Sequence, residues 1–406
     1  MRPGAARDPA NHDRRADRAY LATVALSLVA LVALGALSRR IELIGADDFS
    51  RIWAGPRAVL TGADPYDPAR WPATAVALGT QAPDTAVFIY PPWVTVALLP
   101  LAALPLPVAS GVWLGASLLA GIAGLRALAA AYLPARPRAH AVVAAMLLLS
   151  WVGALTLVIG QWGVLLVGAL SAVVLALRAG HPARAGLAAV ALVAKPQLFI
   201  LAAPALAVHV LWPERGRTIP PAGRRFVTAA VGAAAALVAV AWVVLPSWWP
   251  TWIREIGGQQ LQPTSDTVPA LLLVVAGPTG LAAAPLALAA LVALGLCFHP
   301  RGEAWLPVWL ALSSAVAPYT NSYDQIILVV PIVIAAGIAA RISPARGWLV
   351  LGLGALVLLV ATPLLYEVAL RRRSETLGAL VPLAAVALIA GGLWPVRRDA
   401  GGVALR

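Results

Sequence analysis

Arg225-Phe-Val-Thr-Ala-Ala-Val-Gly-Ala-Ala-Ala-Ala-Leu-Val-Ala-Val-Ala-Trp-Val-Val-Leu-Pro246 sets twenty residues between an arginine and a proline with no charge among them. A helix of about twenty residues, rising 1.5 Å per residue, crosses the roughly 30 Å of hydrocarbon in a bilayer. Residues 19–38 are written the same way. Further apolar runs lie near 108–132, 141–159, 163–178, 280–298, 304–318, 325–341, 347–366 and 376–395, with shorter pieces near 90–105, 184–194, 197–212 and 269–277. The 406 residues are 61% hydrophobic and only 12% charged, with mean hydropathy +0.85. Soluble domains are about 25% charged. The chain therefore reads as an all-α polytopic membrane protein of 10 to 13 membrane segments in one integral domain, 1–406. No cleavable secretory signal is expected, because the first run leads into many more.

The formal charge of +13 does not point to nucleic acid. Its arginines come in twos and threes between apolar runs, as in membrane loops, and form no basic groove. Cys297 is the single cysteine, so no intrachain disulfide can form. No Gly-Lys-Ser/Thr phosphate loop occurs, which argues against an ATPase. Arg2, Arg7, Arg14, Arg15 and Arg18 assign the tail 1–18 to the cytoplasm, and the tail 396–406 with Arg397 and Arg398 to the same side. Arg136/Arg138, Arg178/Arg184, Arg215–Arg225 and Arg341/Arg346 share that side only if two stretches fail to cross. One is the proline-rich piece 90–107; the other is a hairpin broken at Lys195-Pro196. Broken helices are tolerated where they line a cavity inside protein, and this reading is preferred to the alternative in which all pieces cross and one basic loop faces outward. Arg371–Arg373 then fall outside, without explanation from the sequence.

The extracytoplasmic face thereby collects the loop 39–88, the turn at Gly160-Gln161-Trp162, the loop 247–268 and the turn 318–324. Six of the 17 carboxylates are in the first loop, namely Glu42, Asp47, Asp48, Asp64, Asp67 and Asp84. The histidines map to the other side, so outward chemistry would use a carboxylate base and no histidine metal site.

Asp47 and Asp48 precede an interfacial helical pattern, Phe49–Leu60, and could cap it or serve as a base. Asp64-Pro-Tyr-Asp67 is turn sequence. Phe88-Ile-Tyr-Pro-Pro-Trp93 opens the next segment with prolines suited to a helix start. There Trp93 suits the membrane interface, and Tyr90 either that or a ligand. Lys195 is the one lysine beside 29 arginines and lies in apolar sequence. An unpaired mid-membrane cation costs about 2.5–3.5 kcal/mol, so a phosphate-binding ammonium at a helix break stands against a snorkelling lysine. Gln161 could bond a ligand hydroxyl or cap a helix. The tryptophans of Ser247–Ile256 are belt residues or sugar-stacking faces. In Ala317-Pro-Tyr-Thr-Asn-Ser-Tyr-Asp324, Asp324 could be a cap, a second acid or an acceptor-binding residue, with Tyr323 beside it.

Asp48-Phe, Trp53-Ala, Leu60-Thr-Gly-Ala-Asp-Pro-Tyr66 and Phe88-Ile-Tyr-Pro-Pro92, followed by Gly160-Gln161 and Ala194-Lys195-Pro196, resemble glycosyltransferase family 87 over roughly residues 20–330. These are bacterial polyprenyl-phosphate-dependent mannosyltransferases of the GT-C superfamily. The resemblance implies a GT-C helical bundle with a catalytic first loop at 39–88. It implies a multi-pass plasma-membrane enzyme with an extracytoplasmic active site. It makes Asp48 the catalytic base, with Asp47 as its neighbouring substitute. It implies a polyprenyl-phosphate sugar donor, a glycolipid or glycan acceptor, inversion at the anomeric carbon, no nucleotide cofactor and no obligatory metal. Mannose is the expected sugar, with arabinofuranose as the alternative, because the turn 319–324 lacks the histidine of some mannosyltransferases. Within this mechanism Lys195, with Arg51 or Arg57, would face the leaving phosphate, and Gln161, Tyr90, Tyr323 and Asp324 would bind substrate. A secondary transporter would share the broken helices and intramembrane cation, yet no repeated halves are visible. A non-catalytic lipid-binding protein is the third class.

Overall fold

The computed structural model describes residues 48–83, 85–134, 136–211, 220–259, 265–298 and 304–399, together with Val29 and Ala33. The expected first span 19–38, the tail 1–18, Glu42, Asp47, Asp84 and the end of the chain from 400 lie outside the described residues. Among the described residues there is no strand. Among the same residues six helices are long and apolar enough to cross a membrane, and a seventh span counts if one bent pair is taken as a unit.

The chain enters with α1 (Asp48–Leu60) and α2 (Trp71–Ala77), then two short helices, α3 (Pro92–Ala97) and α4 (Leu99–Ala102). Trp53 donates its indole N–H to the Leu104 carbonyl at 3.1 Å, and Arg57 donates to the Ala102 carbonyl at 3.1 Å. Tyr66 donates its hydroxyl to the Tyr90 carbonyl at 2.7 Å. One end of the proline-rich piece is thus held against α1 and the other against the loop that follows it, and its two helices, of 6 and 4 residues, are each too short to span a bilayer.

The bundle follows with α5 (Leu106–Tyr132), α6 (Pro137–Leu148), α7 (Trp151–Ile159) and α8 (Gly163–Arg178). Helices α6 and α7 meet at 46° where Ser150 accepts from the Gly153 amide and starts a new helix. Helices α5 and α8 approach closely through glycine: a Cβ at Gly168 would stand 2.5 Å from the Ala120 backbone. Small residues at such seams let backbones pack where lipid offers no hydrophobic drive between helices.

Next comes the broken hairpin, with α9 (Pro182–Ala189) descending, 3-10 turns over Val190–Ala194 and Pro196–Phe199, and α10 (Ala202–Leu211) returning. Proline at 196 cannot supply the amide that would continue the helix. Helices α11 (Pro221–Val244) and α12 (Trp248–Gln259) follow, then α13 (Val268–Leu296), α14 (Trp305–Val316), α15 (Val329–Ile342), α16 (Pro344–Leu356), α17 (Thr362–Arg372) and α18 (Leu380–Asp399). The span Ser322–Ile342, which contains α15, is 83% buried, and α11 is 6% buried. A helix apolar all round can be a core rod or face lipid; here α15 is the rod and α11 meets lipid.

Two ends follow from the contacts. At one, α1 meets the α7–α8 turn and shares a cavity with the hairpin tip and the turn that begins at Pro318. At the other, the Arg178 guanidinium sits 4.7 Å from the Tyr132 ring centre, His209 packs on Trp305, and a Cβ at Gly223 would run into Val210. Arg136, Arg184, Arg224 and Arg346 belong to this second end, as the arginine pattern requires. Arg371–Arg373 sit at the first end, where Arg371 pairs with Glu367 at 2.9 Å in the open.

Candidate active site

Asp48 is the first residue of α1, and the close approach of α1 to the α7–α8 turn puts it in place. Gly160 ends α7 with φ +74°, and a Cβ there would lie 2.4 Å from the Phe49 Cβ. Only glycine satisfies both the left-handed turn and that contact. Phe49 stacks on Trp113 at 5.6 Å, and Trp113 donates its indole N–H to the Gly160 carbonyl at 2.8 Å. This knot presents Gln161 to the carboxylate: its Nε2 donates to Asp48 Oδ2 at 2.8 Å and to the Tyr90 hydroxyl at 3.2 Å. The Trp162 amide donates to Gln161 Oε1 at 3.4 Å, which keeps the NH₂ turned toward Asp48.

Lys195 approaches from the hairpin tip and is 6% exposed. Its ammonium donates to Asp324 Oδ1 at 2.6 Å and stands 4.8 Å from the Tyr323 ring centre. Asp324 is 1% exposed. Its Oδ2 accepts from the Asn321 amide at 3.4 Å, and the two form a capping box at the head of the span. The lysine is therefore not unpaired. Asp324 takes one of its three donor directions, and the two charges offset each other's burial.

Asp48, Arg51, Tyr90, Gln161, Lys195 and Tyr323 all line one cavity of about 350 Å³. Two sequence expectations change. Arg57 is not on the cavity wall, because its guanidinium is spent on the 102–103 carbonyls and lies over Trp53. Asp324 is not on the wall either; it sits behind Lys195 as its counter-ion. The structure adds Tyr319, Gln197, Trp71 and Trp252 to the lining. Trp252 donates to the Ile89 carbonyl at 3.0 Å and packs edge-on against Trp93, so α12 closes over the cavity. Tyr319 was legible only as one hydroxyl in the polar turn 317–324. Trp71 carried no signal that set it apart from other interfacial tryptophans.

The phenols of Tyr90 and Tyr319 are pushed above their ordinary range, Tyr90 strongly, first by burial and with nearby carboxylates adding to it. They stay protonated, so they serve as hydroxyl donors and acceptors and not as bases. Asn321 donates to the hydroxyls of Tyr323 at 2.7 Å and Tyr319 at 3.2 Å, which fixes this hydroxyl row along one wall. A row of hydroxyls and an amide, one carboxylate and one ammonium suits a polyhydroxylated substrate with an anionic part.

The family model for glycosyltransferase family 87 matches residues 88–299. The chain belongs to that family. It is a glycosyltransferase and a multi-pass membrane protein. The matched range holds Tyr90, Gln161 and Lys195, and is narrower than the 20–330 over which the motifs resemble the family. No curated protein and no solved structure matches the chain.

Proposed function

We propose that this glycosyltransferase transfers mannose from polyprenyl phosphate to a glycolipid or glycan acceptor at the outer face of the plasma membrane, with inversion. The observation that carries the reading is that Asp48 and Lys195, from separate elements of the fold, border one cavity. In this mechanism the acceptor hydroxyl gives its proton to Asp48, and its oxygen attacks the anomeric carbon from the face opposite the leaving group. The bond from that carbon to the phosphate oxygen breaks, and its electron pair leaves with polyprenyl phosphate. Phosphate departs as a stable anion, so no general acid is needed. Lys195, with Arg51 on the cavity wall, counters the charge that develops there. Gln161 aims Asp48, while Tyr90 and Tyr323 offer hydroxyls to the sugar.

Asp324 has a defined part in this scheme. It holds Lys195 in place and leaves the cation's charge only partly available until an anion enters. Donor binding would then put a phosphate on the far side of the ammonium from Asp324.

The test is sugar transfer by the full chain in proteoliposomes, with labelled mannosyl and arabinofuranosyl polyprenyl phosphates offered separately. Transfer from the mannosyl donor, lowered by about 10²–10⁴-fold in Asp48→Asn, is the expected result. Transfer from the arabinofuranosyl donor alone would correct the sugar. Counterflow of label with no covalent product would overturn the reading in favour of transport.

A further inference from the structure

The arginine-rich end carries a second cavity, of about 320 Å³, between α5 and α6, and nothing in the transfer chemistry uses it. On α5 its wall is Ile122, Leu125, Arg126 and Ala129, the spacing of one helix face. On α6 it begins at His140 and runs up to Leu147 and Leu148. The helices are antiparallel, so Arg126 and His140 fall together toward the arginine-rich end. Leucine and isoleucine line the part that points to the middle of the bundle. His140 Nε2 bonds the Leu133 carbonyl at 3.0 Å. A carbonyl only accepts, so Nε2 carries the proton and Nδ1 is the ring's other site. The groove is cationic at one end and apolar along the rest.

Its electrostatic setting is one-sided. Helices α5, α6, α8, α15 and α16, which pack around it, contain no aspartate or glutamate. They carry Arg126, Arg138, Arg178, Arg341 and Arg346. The chain has no carboxylate anywhere between Asp84 and Glu214. Among the described residues no carboxylate lines the groove, whereas Asp324 stands beside Lys195.

We infer that the α5–α6 groove binds an anionic phospholipid of the leaflet at the arginine-rich end. Its phosphate lies at Arg126 and His140, and an acyl chain lies along Ile122, Leu125 and Leu147. Basic pockets between membrane helices are known lipid-headgroup sites, and each nearby cation adds about 1 kcal/mol of attraction to an anionic surface. The apolar length supplies what a free phosphate would not use.

The experiment compares the melting temperature of the purified full chain in phosphatidylglycerol nanodiscs with that in phosphatidylcholine nanodiscs, since a ligand bound only by the folded state raises stability. The expected result is a higher melting temperature in phosphatidylglycerol. At least half of that difference should vanish in the double variant Arg126→Gln/His140→Gln. Arg184→Gln, at the same end but outside the groove, should keep it. The inference is overturned if the wild type shows no difference, if the double variant keeps the whole difference, or if Arg184→Gln removes as much. Glycerol phosphate added to phosphatidylcholine nanodiscs should not reproduce the shift; full reproduction would also overturn it. Should the groove variant fold poorly, native mass spectrometry of co-purified lipid on Arg126→Gln alone decides the same question.

Discussion

Two ion pairs sit at the same end of the bundle and differ in almost everything but their charges. Lys195–Asp324 joins side chains 7% and 1% exposed, far apart in sequence, at 2.6 Å. Arg371–Glu367 joins side chains 77% and 56% exposed, one helical turn apart, at 2.9 Å. Water screens the second and gives each partner an alternative, so the pair contributes little. The first has no such alternative. Each charge there is tolerated only because the other is present, and hydrophobic residues of similar volume would often be no less stable. With Lys195 on the cavity wall and Asp324 behind it, the pair is weak evidence for stability, which is the physical ground for the proposal that Lys195 acts at the phosphate.

The largest effect should come from breaking the buried pair on one side. Lys195→Ala leaves the Asp324 carboxylate buried without its partner, and should destabilise by about 3–5 kcal/mol in thermal or denaturant unfolding. Lys195→Met with Asp324→Leu removes both charges, and should recover most of that stability while sugar transfer stays down by about 10²–10³-fold. Recovery of transfer with stability would make the pair purely structural.

Next in size is Gln161→Ala. It removes the donor that aims Asp48, so kcat should fall about tenfold with KM little changed. Gln161→Glu should be worse, because it sets a second carboxylate beside the first.

A third effect is a slope with pH. Asp266 lies just before the Thr267 cap of α13 and is buried, where Thr320 and Gln325 donate to it; Glu375 accepts from the Ser322 amide at 2.7 Å. Burial raises both carboxyls above their ordinary range, Asp266 strongly. In the window above about pH 4 the unfolded chain releases these protons while the folded chain retains them. Stability is therefore full at acid pH and falls as pH rises, by at most about 1.4 kcal/mol per unit for each group. Melting curves from pH 4.5 to 8 should show this fall, and Asp266→Asn should flatten it. Smallest is Arg371→Ala, which should change stability by no more than about 0.5 kcal/mol.

The sequence already contained much of the fold. Uncharged runs such as 226–245 marked the spans, Lys195-Pro196 marked the break in the hairpin, and Gly160-Gln161 marked the turn that faces Asp48. These are local signals, set by transfer free energy and backbone geometry. What stayed hidden was pairing across distance. Lys195 read as a lone cation and Asp324 as a cap, a second acid or an acceptor-binding residue, because nothing local says that residues 129 positions apart touch. Arg57 looked equivalent to Arg51 by charge; only the packing of α1 against α4 turns one to backbone carbonyls and the other to the cavity. Asp266 drew no attention at all, although a single acid just before Thr267-Val-Pro is a helix-start signal that could have placed it near the turn 318–325.

The central claim, that Asp48 removes the acceptor proton while Lys195 holds the donor's phosphate, is tested most directly by measuring donor affinity and single-turnover transfer together in Asp48→Asn. Donor Kd should stay within about twofold of wild type while the chemical step slows by at least about 10². Wild-type transfer in this variant, or a loss explained wholly by weaker donor binding, would contradict it.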